Sequence, residues 1–375
     1  MMLNCTQKEF LALLQAGLWE KEILLSPYGE IDYPAIYTLA EEQSVVGIIT
    51  AGLERVKDVM VSKDWALQFI GATLQIEQTN KGMNTFVAQL IDGLRKQGIY
   101  TLLMKGQGIA QCYEKPLWRS SGDVDLLLSD DNYKKAVKSL KAMATCVDEE
   151  NVYYKHLGMT IDGWSVELHG TLRSGLWKGI DRVLDNVQCD VINGGSVRSW
   201  MNGKTQVFLP GINEDVVFVF SHILQHFFKE GIGLRQICDW CRLLWKYQDK
   251  IDRKKLEGTI RKAGVMTEWK VFSTLAVDYL GLAVEAMPLY SDESRWKRKS
   301  DKVMSFILET GNFGHNRDYT YRQKHSYLVF KAISLWKHLQ DFGRYFIIFP
   351  LDSIKVTWRR ICVGVAVTVS GRMHE

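Results

Sequence analysis

The sequence contains few prolines and no regular set of cysteines. It has only 6 prolines in 375 residues, too few for a Pro-rich linker between domains. Its 7 cysteines are odd in number and scattered along the chain, so they do not form the paired framework of a disulfide-rich secreted protein. Free thiols suit a reducing compartment, and we therefore expect a cytoplasmic protein.

Long apolar runs are also absent. The run from 361 to 369 is short, whereas a membrane-spanning helix needs about 20 apolar residues. Residues 1–10 lack the basic-then-apolar pattern of a secretion signal, so we expect neither a membrane span nor secretion. The net charge of +4 neither indicates nor excludes a nucleic-acid partner, and the content of 46% hydrophobic and 24% charged residues is typical of a globular protein.

The most informative segment is 105–128, where a glycine turn that follows an apolar strand precedes a second apolar strand with two carboxylates. Side chains alternate along a strand, so Asp123 and Asp125 are predicted to project on one side while Val124 points into the core. Two neighbouring carboxylates repel each other unless a cation lies between them. Because the ligands are hard oxygens, Mg²⁺ is the most natural cation.

A third carboxylate, Glu167, lies in the alternating, strand-like segment 164–169. Three carboxylates on neighbouring strands can hold two metal ions for in-line phosphoryl or nucleotidyl transfer. An isolated Asp-x-Asp pair is more often a pair of solvated loop carboxylates. Here the apolar run 126–128 follows the pair directly, which favours a strand and a metal site.

The turn after the first strand is a candidate phosphate site. Residues 106–108 precede a short predicted helix over 109–113, and such a turn presents backbone N–H groups to a phosphate. Arg119 is predicted to neutralise a nucleotide phosphate, because a guanidinium matches phosphate geometry; the alternative is a surface loop arginine. Lys105 has the same two interpretations, since a lysine at a strand end often only extends to solvent.

These residues resemble the nucleotidyltransferases of the DNA polymerase β superfamily and, more closely, a family of uncharacterised nucleotidyltransferases. The resemblance extends to Leu234-Arg235 with Asp239 and to 311–314, so it covers most of the chain. It departs from the superfamily signature at Gln107, where that signature has Gly or Ser. The motifs that carry it are Lys105-Gly106, Arg119, Gly122-Asp123-Val124-Asp125-Leu126-Leu127 and Glu167-Leu168-His169.

The resemblance implies an α+β fold, with a polymerase β-like mixed-sheet core flanked by helical regions, and a transferase that uses two Mg²⁺ ions or, alternatively, Mn²⁺. It implies that Asp123, Asp125 and Glu167 are the catalytic residues and metal ligands. The residues it implies for nucleotide binding are Lys105, Gly106, Gln107, Gly108, Arg119 and Ser120.

Four further polar residues are candidates for acceptor binding or for support of the site. His169 shares the face of Glu167 and is either an acceptor-binding group, a general base or a group that orients the carboxylate. His222 lies four residues before His226 on a predicted helix and either lines the cleft or is a satisfied core histidine. Arg235 and Asp239 have the spacing of a helix salt bridge, and the resemblance offers the alternative that they face the nucleotide.

The expected organisation is a helical region over 1–97, an α/β core over 98–210 and a helical domain over 211–375. Within the core, Asp162-Gly163 predicts a hairpin turn, as does Asn202-Gly203. Helical periodicity begins at Thr6, a candidate N-cap, and the C-terminal helical pattern continues to about residue 340.

Two classes of function remain open from the sequence. The first is an enzyme that moves an NMP group from an NTP to a hydroxyl or phosphate of an unidentified acceptor, which is a small molecule, a protein or RNA. The second is a nucleotide-binding or partner-binding module on the same fold that has lost its chemistry, an alternative to which the Gln107 departure gives weight. A toxin-like transferase that modifies RNA is a third hypothesis.

Overall fold

The computed structural model describes residues 3–229, 231–314, 316 and 342–369. The predicted helical pattern over 317–340 lies outside the described residues. Residues 342–348 are also helical. The strands are β1 (Leu102–Met104), β2 (Val124–Leu127), β3 (Cys146–Val147), β4 (His156–Ile161), β5 (Trp164–His169), β6 (Val197–Asn202) and β7 (Thr205–Pro210). The helices are α1 (Cys5–Trp19), α2 (Tyr33–Glu42), α3 (Val46–Leu53), α4 (Lys63–Lys96), α5 (Gly106–Ala110), α6 (Asp130–Lys141), α7 (Lys178–Ile192), α8 (Ile212–Lys229), α9 (Leu234–Lys246), α10 (Arg253–Ala263), α11 (Met266–Asp278), α12 (Ser294–Thr310) and α13 (Pro350–Val369).

A five-stranded mixed sheet with the order β1-β2-β5-β4-β3 forms the centre of the fold. The pair β2 and β5 is parallel, whereas the other neighbouring pairs are antiparallel. The parallel register places Asp125 opposite Glu167. The expected α+β class with a mixed sheet and helical flanks is therefore confirmed.

The two faces of this sheet have different partners. Val124 and Leu126 on β2 belong to a buried cluster that includes residues of α4 and α6. Asp125, which alternates with them, points to the opposite face, where Lys105 at the end of β1 reaches His222 on α8. The apolar face anchors the sheet and leaves the polar face to form a cavity beneath α8.

Helix α4 is continuous over Lys63–Lys96, and one side of it is buried along its whole length. Phe86 and Leu90 in the second half are buried against the sheet, and Phe69 in the first half is buried as well. Leu67, Ile70 and Leu74 also recur at helical spacing, but they lie on the side of the helix away from Phe69 and are exposed by 58%, 47% and 55%. Helical spacing of apolar residues identifies the helix, whereas packing decides which of its sides is covered.

Local chain signals predict some boundaries and miss others. Asp162 and Gly163 both have positive φ, as a two-residue hairpin turn requires, and β4 pairs with β5 around them. Asn4, not Thr6, caps α1 through a capping box with Gln7. The short helix predicted over 109–113 begins three residues earlier, at Gly106, because the chain turns directly from Lys105 into α5.

The three regions expected from the sequence share one hydrophobic core. A single buried cluster extends from Phe10 on α1 through Phe220 on α8 to Val356 on α13, and it also includes Leu127 of the sheet. Their division into units that fold separately stays a prediction. For the site, the shared core matters because it fixes α8 and α9 against the polar face of the sheet.

Candidate active site

Three carboxylates meet on the polar face of the sheet. Asp123 lies directly before β2, Asp125 lies within it, and Glu167 is the register partner of Asp125 on β5. One oxygen of each carboxylate lies within 4.8 Å of the others. The structure therefore brings together the three residues that the sequence predicts as metal ligands.

Two cationic groups contact Asp125, which is 1% exposed. Nζ of Lys105 lies 3.0 Å and Nε2 of His169 lies 2.9 Å from the same Oδ1 atom. Burial raises the pKa of Asp125, but Lys105 and His169 outweigh it and hold that pKa below its ordinary value. Burial lowers the pKa of His169, but its hydrogen bonds to Asp125 and Glu167 raise that pKa to about 9. Asp125 is thus held as a carboxylate between two positive groups.

Asp123 has the opposite electrostatic environment. The charge of Asp125, followed by burial, raises the pKa of Asp123, because two carboxylates at this distance repel each other. Lys105 and His169 both pair with Asp125, whereas Asp123 has no ion-pair partner among the described residues, although the charges of Arg119 and Arg235 also act on it. A metal ion bound beside Asp123 would relieve its repulsion with Asp125.

Glu167 contacts two histidines. Its Oε2 lies 3.1 Å from Nε2 of His156 and 3.5 Å from Nε2 of His169. Burial raises the pKa of Glu167, but the hydrogen bonds from both imidazoles outweigh it, and the pKa falls far below its ordinary value. Glu167 therefore stays ionised and available as a ligand.

The wall opposite the carboxylates is formed by α8. Nε2 of His222 lies 3.0 Å from Nζ of Lys105 and 2.9 Å from Nε2 of His226. Burial, followed by the charge of Lys105, holds the pKa of His222 well below its ordinary value. His222 is therefore a neutral group that links Lys105 to the cavity wall, which agrees with the interpretation that these histidines line the cleft.

Arg119 makes a buried ion pair with α9. Its Nε and Nη2 donate to the two carboxylate oxygens of Asp239, at 3.1 Å and 2.6 Å, and Tyr113 donates its hydroxyl to the same carboxylate. Nη1 of Arg119 is buried and has no hydrogen-bond partner among the described residues. The interpretation of Arg119 as a surface arginine is therefore wrong.

The helix salt bridge expected between Arg235 and Asp239 is also replaced by longer-range contacts. Asp239 pairs with Arg119, while Nη1 of Arg235 donates to the carbonyl oxygens of Ser120 and Ser121. The helix α9 thus holds the loop before β2 at two points. These contacts join α9 to a loop that lies more than a hundred residues earlier in the chain, and they fix the position of Arg119 in that loop.

Three of the residues predicted to bind nucleotide do not line the cavity. Gln107 is 3% exposed, and its amide donates to Asn80 on α4. A Cβ atom at Gly108 would lie 2.6 Å from a methyl group of Leu209, so this glycine allows α5 to pack on β7. Ser120 supplies its carbonyl oxygen to Arg235. Gln107 is accommodated because its amide donates to Asn80, so the departure from the superfamily signature affects how the turn packs.

The carboxylates open into a cavity of about 530 Å³. The strands supply its floor, α8 and α9 supply two walls, and the turn at Lys105-Gly106 supplies a third. The following residues that the sequence predicts for the site line this cavity: Lys105, Gly106, Arg119, Asp123, Asp125, Glu167, His169, His222, Arg235 and Asp239.

Two residues of the site were missed from the sequence. His156 faces Glu167, and its position follows from the hairpin: because Ile161 pairs with Trp164, the register places His156 opposite His169. Asn80 holds the loop by donating to the carbonyl oxygens of Leu117 and Arg119, at 2.7 Å and 2.8 Å. The register of the hairpin is the signal that could have identified His156, whereas no local pattern marks an asparagine within a long helix as a partner of a distant loop.

The mixed sheet, the paired carboxylates on β2 and the third carboxylate on β5 define a nucleotidyltransferase type of fold and site. Residues 29–281 match a family described as uncharacterised nucleotidyltransferases, and the chain belongs to that family. It is therefore a transferase of phosphorus-containing groups. Comparisons with curated proteins and with solved structures gave no match.

The donor atoms present fit a divalent metal ion, as nucleotidyltransferases generally use. Three carboxylate oxygens within 4.8 Å of one another are a hard-oxygen donor set. A metal ion would also relieve the repulsion from Asp125 that raises the pKa of Asp123. Among the described residues, no helix has the length and apolar character to cross a membrane.

Proposed function

We propose that the protein transfers an NMP group from an NTP to a hydroxyl or phosphate of an acceptor, with Mg²⁺ as the natural metal and Mn²⁺ as a substitute. The observation that carries this proposal is the convergence of Asp123, Asp125 and Glu167 at the floor of a cavity that also contains Lys105 and Arg119. Carboxylates that attract metal and cations that attract phosphate then lie in one space.

Asp123, Asp125 and Glu167 would hold the metal ions. The metal, when bound, lowers the pKa of the acceptor hydroxyl and neutralises charge on the transferred phosphate. The protein keeps Asp125 and Glu167 ionised through Lys105 and the two imidazoles. The ligands are therefore deprotonated before metal arrives, so binding does not require the loss of a proton from either carboxyl group.

Lys105, Arg119 and the backbone of Gly106 would contact the triphosphate. Lys105 has a φ of 52°, and this kinked turn brings its ammonium group over Asp125. Nη1 of Arg119 lacks a partner among the described residues, so a phosphate oxygen would satisfy it without breaking the pair with Asp239. Gln107, Gly108 and Ser120 would support this turn and loop through contacts outside the cavity, with Asn80, Leu209 and Arg235 respectively.

His169, His222, Arg235 and Asp239 would support the site. His169 and His222 contact the two charges at its centre, Asp125 and Lys105. The neutral imidazole of His222 is a hydrogen-bonding group suited to an acceptor that enters beneath α8. All six described cysteines are free thiols, which is consistent with a reducing compartment, and we place the reaction in the cytoplasm.

The decisive experiment separates an enzyme from a binding module. Protein is incubated with each α-³²P-labelled NTP and Mg²⁺, alone and with cell extract fractionated into small molecules, protein and RNA. We expect pyrophosphate release and label in one acceptor fraction. Label in RNA alone would favour the RNA-modifying hypothesis. Mg²⁺-dependent thermal stabilisation by NTP without pyrophosphate or label from any fraction would show a binding module instead.

Arg119→Lys is expected to weaken NTP binding by about 1.5 kcal/mol, the lower end for hydrogen bonds to charged groups, and equally for the four bases. Lysine keeps a charge beside Asp239 but lacks the fork that serves carboxylate and phosphate together. The measurement is calorimetric titration of each NTP at fixed Mg²⁺ and salt. Arg55→Lys, at a surface arginine paired with Glu114, is the control and should keep full affinity. A loss confined to one base would instead assign Arg119 to base recognition.

A further inference from the structure

A second set of donor atoms lies beside the three carboxylates and includes two imidazoles. One ring nitrogen of His156, a carboxylate oxygen of Glu167 and one ring nitrogen of His169 lie within 4.8 Å of one another. Glu167 belongs to both sets. The same carboxylate therefore stands between an all-oxygen donor set and a nitrogen-rich one.

The spacing of this second set matches a small metal ion. Oε2 of Glu167 lies 3.1 Å from Nε2 of His156 and 3.5 Å from Nε2 of His169. An ion with tetrahedral bonds of 2.0–2.1 Å separates its ligand atoms by about 3.3 Å. The two separations that involve Glu167 are therefore close to those that such an ion requires.

The backbone holds these donors in place. His156 and His169 are register partners on β4 and β5, and their ring centroids are 4.8 Å apart. His156 also exchanges two backbone hydrogen bonds with Asn151, at 2.9 Å and 3.1 Å, which anchors the start of β4. Donors on two paired strands keep their spacing better than donors on loops.

The imidazoles change which ion is favoured. Mg²⁺ prefers oxygen ligands, whereas imidazole suits zinc and other first-row transition metals. Two histidines and one carboxylate also leave positions open for water or substrate, as in catalytic zinc sites. The side chains of His156, Glu167 and His169 are 39%, 29% and 20% exposed, so an ion can enter from the cavity.

We propose that His156, Glu167 and His169 bind a divalent transition-metal ion of the zinc class, next to the carboxylate position formed by Asp123 and Asp125. The inference deepens the proposed function and depends on it for the role of Glu167, which the two positions share. The protein then carries two unlike metal positions, one for a hard ion and one for an ion that accepts nitrogen. In the absence of metal, Nε2 of His156 pairs with Glu167, while Nε2 of His169 lies 2.9 Å from Asp125 and 3.5 Å from Glu167. His169 would therefore release a proton when the ion binds.

The test uses Co²⁺ as a spectroscopic probe in tag-free, metal-depleted full-length protein. We expect one Co²⁺ per chain with the strong visible absorption of four- or five-coordinate cobalt, which the hydrated ion lacks. Zn²⁺ should displace it, whereas a large excess of Mg²⁺ should not. Absence of these bands, or their loss on addition of Mg²⁺, would overturn the proposal.

Variants locate the ion. His156→Gln should weaken Zn²⁺ binding by at least about 100-fold, because even loss of a group that only supports a metal ligand costs 10–100-fold. Its side chain is partly exposed, so the variant should keep the melting temperature of metal-depleted protein. His226→Asn tests the rival pair on α8, and it should keep the bands. Loss of the bands in His226→Asn with retention in His156→Gln would place the ion on α8 and refute the assignment.

Asp123→Asn separates this proposal from the proposed function, because Asp123 belongs only to the carboxylate set. It should keep the Co²⁺ bands while nucleotidyl transfer is lost. If Asp123→Asn retains transfer, the metal role proposed for Asp123 fails, and if the wild type shows no transfer, the proposed function fails; in both cases the bands still identify the histidine site. If the bands disappear in Asp123→Asn but persist in His156→Gln, the cobalt lies among the carboxylates and the histidine site is refuted.

Discussion

Asp123→Asn is expected to reduce nucleotidyl transfer by at least about 10³-fold while leaving the melting temperature of the metal-free protein unchanged or higher. A bound metal supplies several kcal/mol of transition-state stabilisation, and about 4 kcal/mol corresponds to that factor. The charge of Asp125 raises the pKa of Asp123 in the folded protein. A carboxyl group whose pKa is higher in the folded than in the unfolded protein destabilises the fold once the pH exceeds its pKa in the unfolded protein. At pH 7 the neutral amide of asparagine removes this repulsion.

Transfer is measured with labelled NTP, and melting is followed with and without Mg²⁺ and NTP. The wild type should gain more stability from Mg²⁺ than the variant does. Asp162→Asn is the matched control: it removes one carboxylate from the same sheet at an exposed turn residue with φ of 50°, which asparagine accepts. If both variants lose activity equally, or if Asp123→Asn melts far below wild type, Asp123 is not a metal ligand of the kind proposed.

Asp125→Asn would not separate chemistry from stability in this way. Asp125 is 1% exposed and contacts Lys105 and His169, so its neutralisation leaves two buried cationic groups without their partner. The two aspartates therefore differ in what they contribute to folding, although they are two residues apart.

Arg119→Ala is expected to lower the free energy of unfolding by about 3–5 kcal/mol, the usual cost of removing one partner of a buried ion pair. Both side chains of the pair with Asp239 are 5% exposed. Without the guanidinium, Asp239 retains one neutral donor, the hydroxyl of Tyr113. The loss is measured by urea unfolding, with fluorescence and circular dichroism as independent probes.

Arg173→Ala is the control, since Arg173 binds Asp185 through the same two nitrogens at 2.7 Å and 2.8 Å, but with side chains 42% and 40% exposed. An exposed pair contributes about 0.2–1 kcal/mol. Asp239→Asn added to Arg119→Ala should restore about 1–3 kcal/mol, because the buried charge is gone and Tyr113 keeps an acceptor. Equal losses in Arg119→Ala and Arg173→Ala would show that burial does not strengthen the pair.

The sequence by itself determined the local chemistry of the site. Alternation along β2 places Asp123 and Asp125 on one side, and the turn at Asp162-Gly163 sets the register of β4 and β5. Such signals are readable because strand alternation and turn conformation depend on a few adjacent residues. With the resemblance to a nucleotidyltransferase family, they predicted the carboxylates that the structure brings together.

Only the tertiary structure decided which distant groups meet. The parallel pairing of β2 with β5 sets Glu167 opposite Asp125, and the packing of α9 joins Asp239 to Arg119 rather than to Arg235, its neighbour on the helix. On α4, Leu67 and Phe69 are both apolar, and only the packing of the helix shows that Phe69 is buried and Leu67 is exposed. Local spacing defines which contacts a residue is able to make, but the shared core sets the positions of the strands and helices, and those positions select the contacts that form.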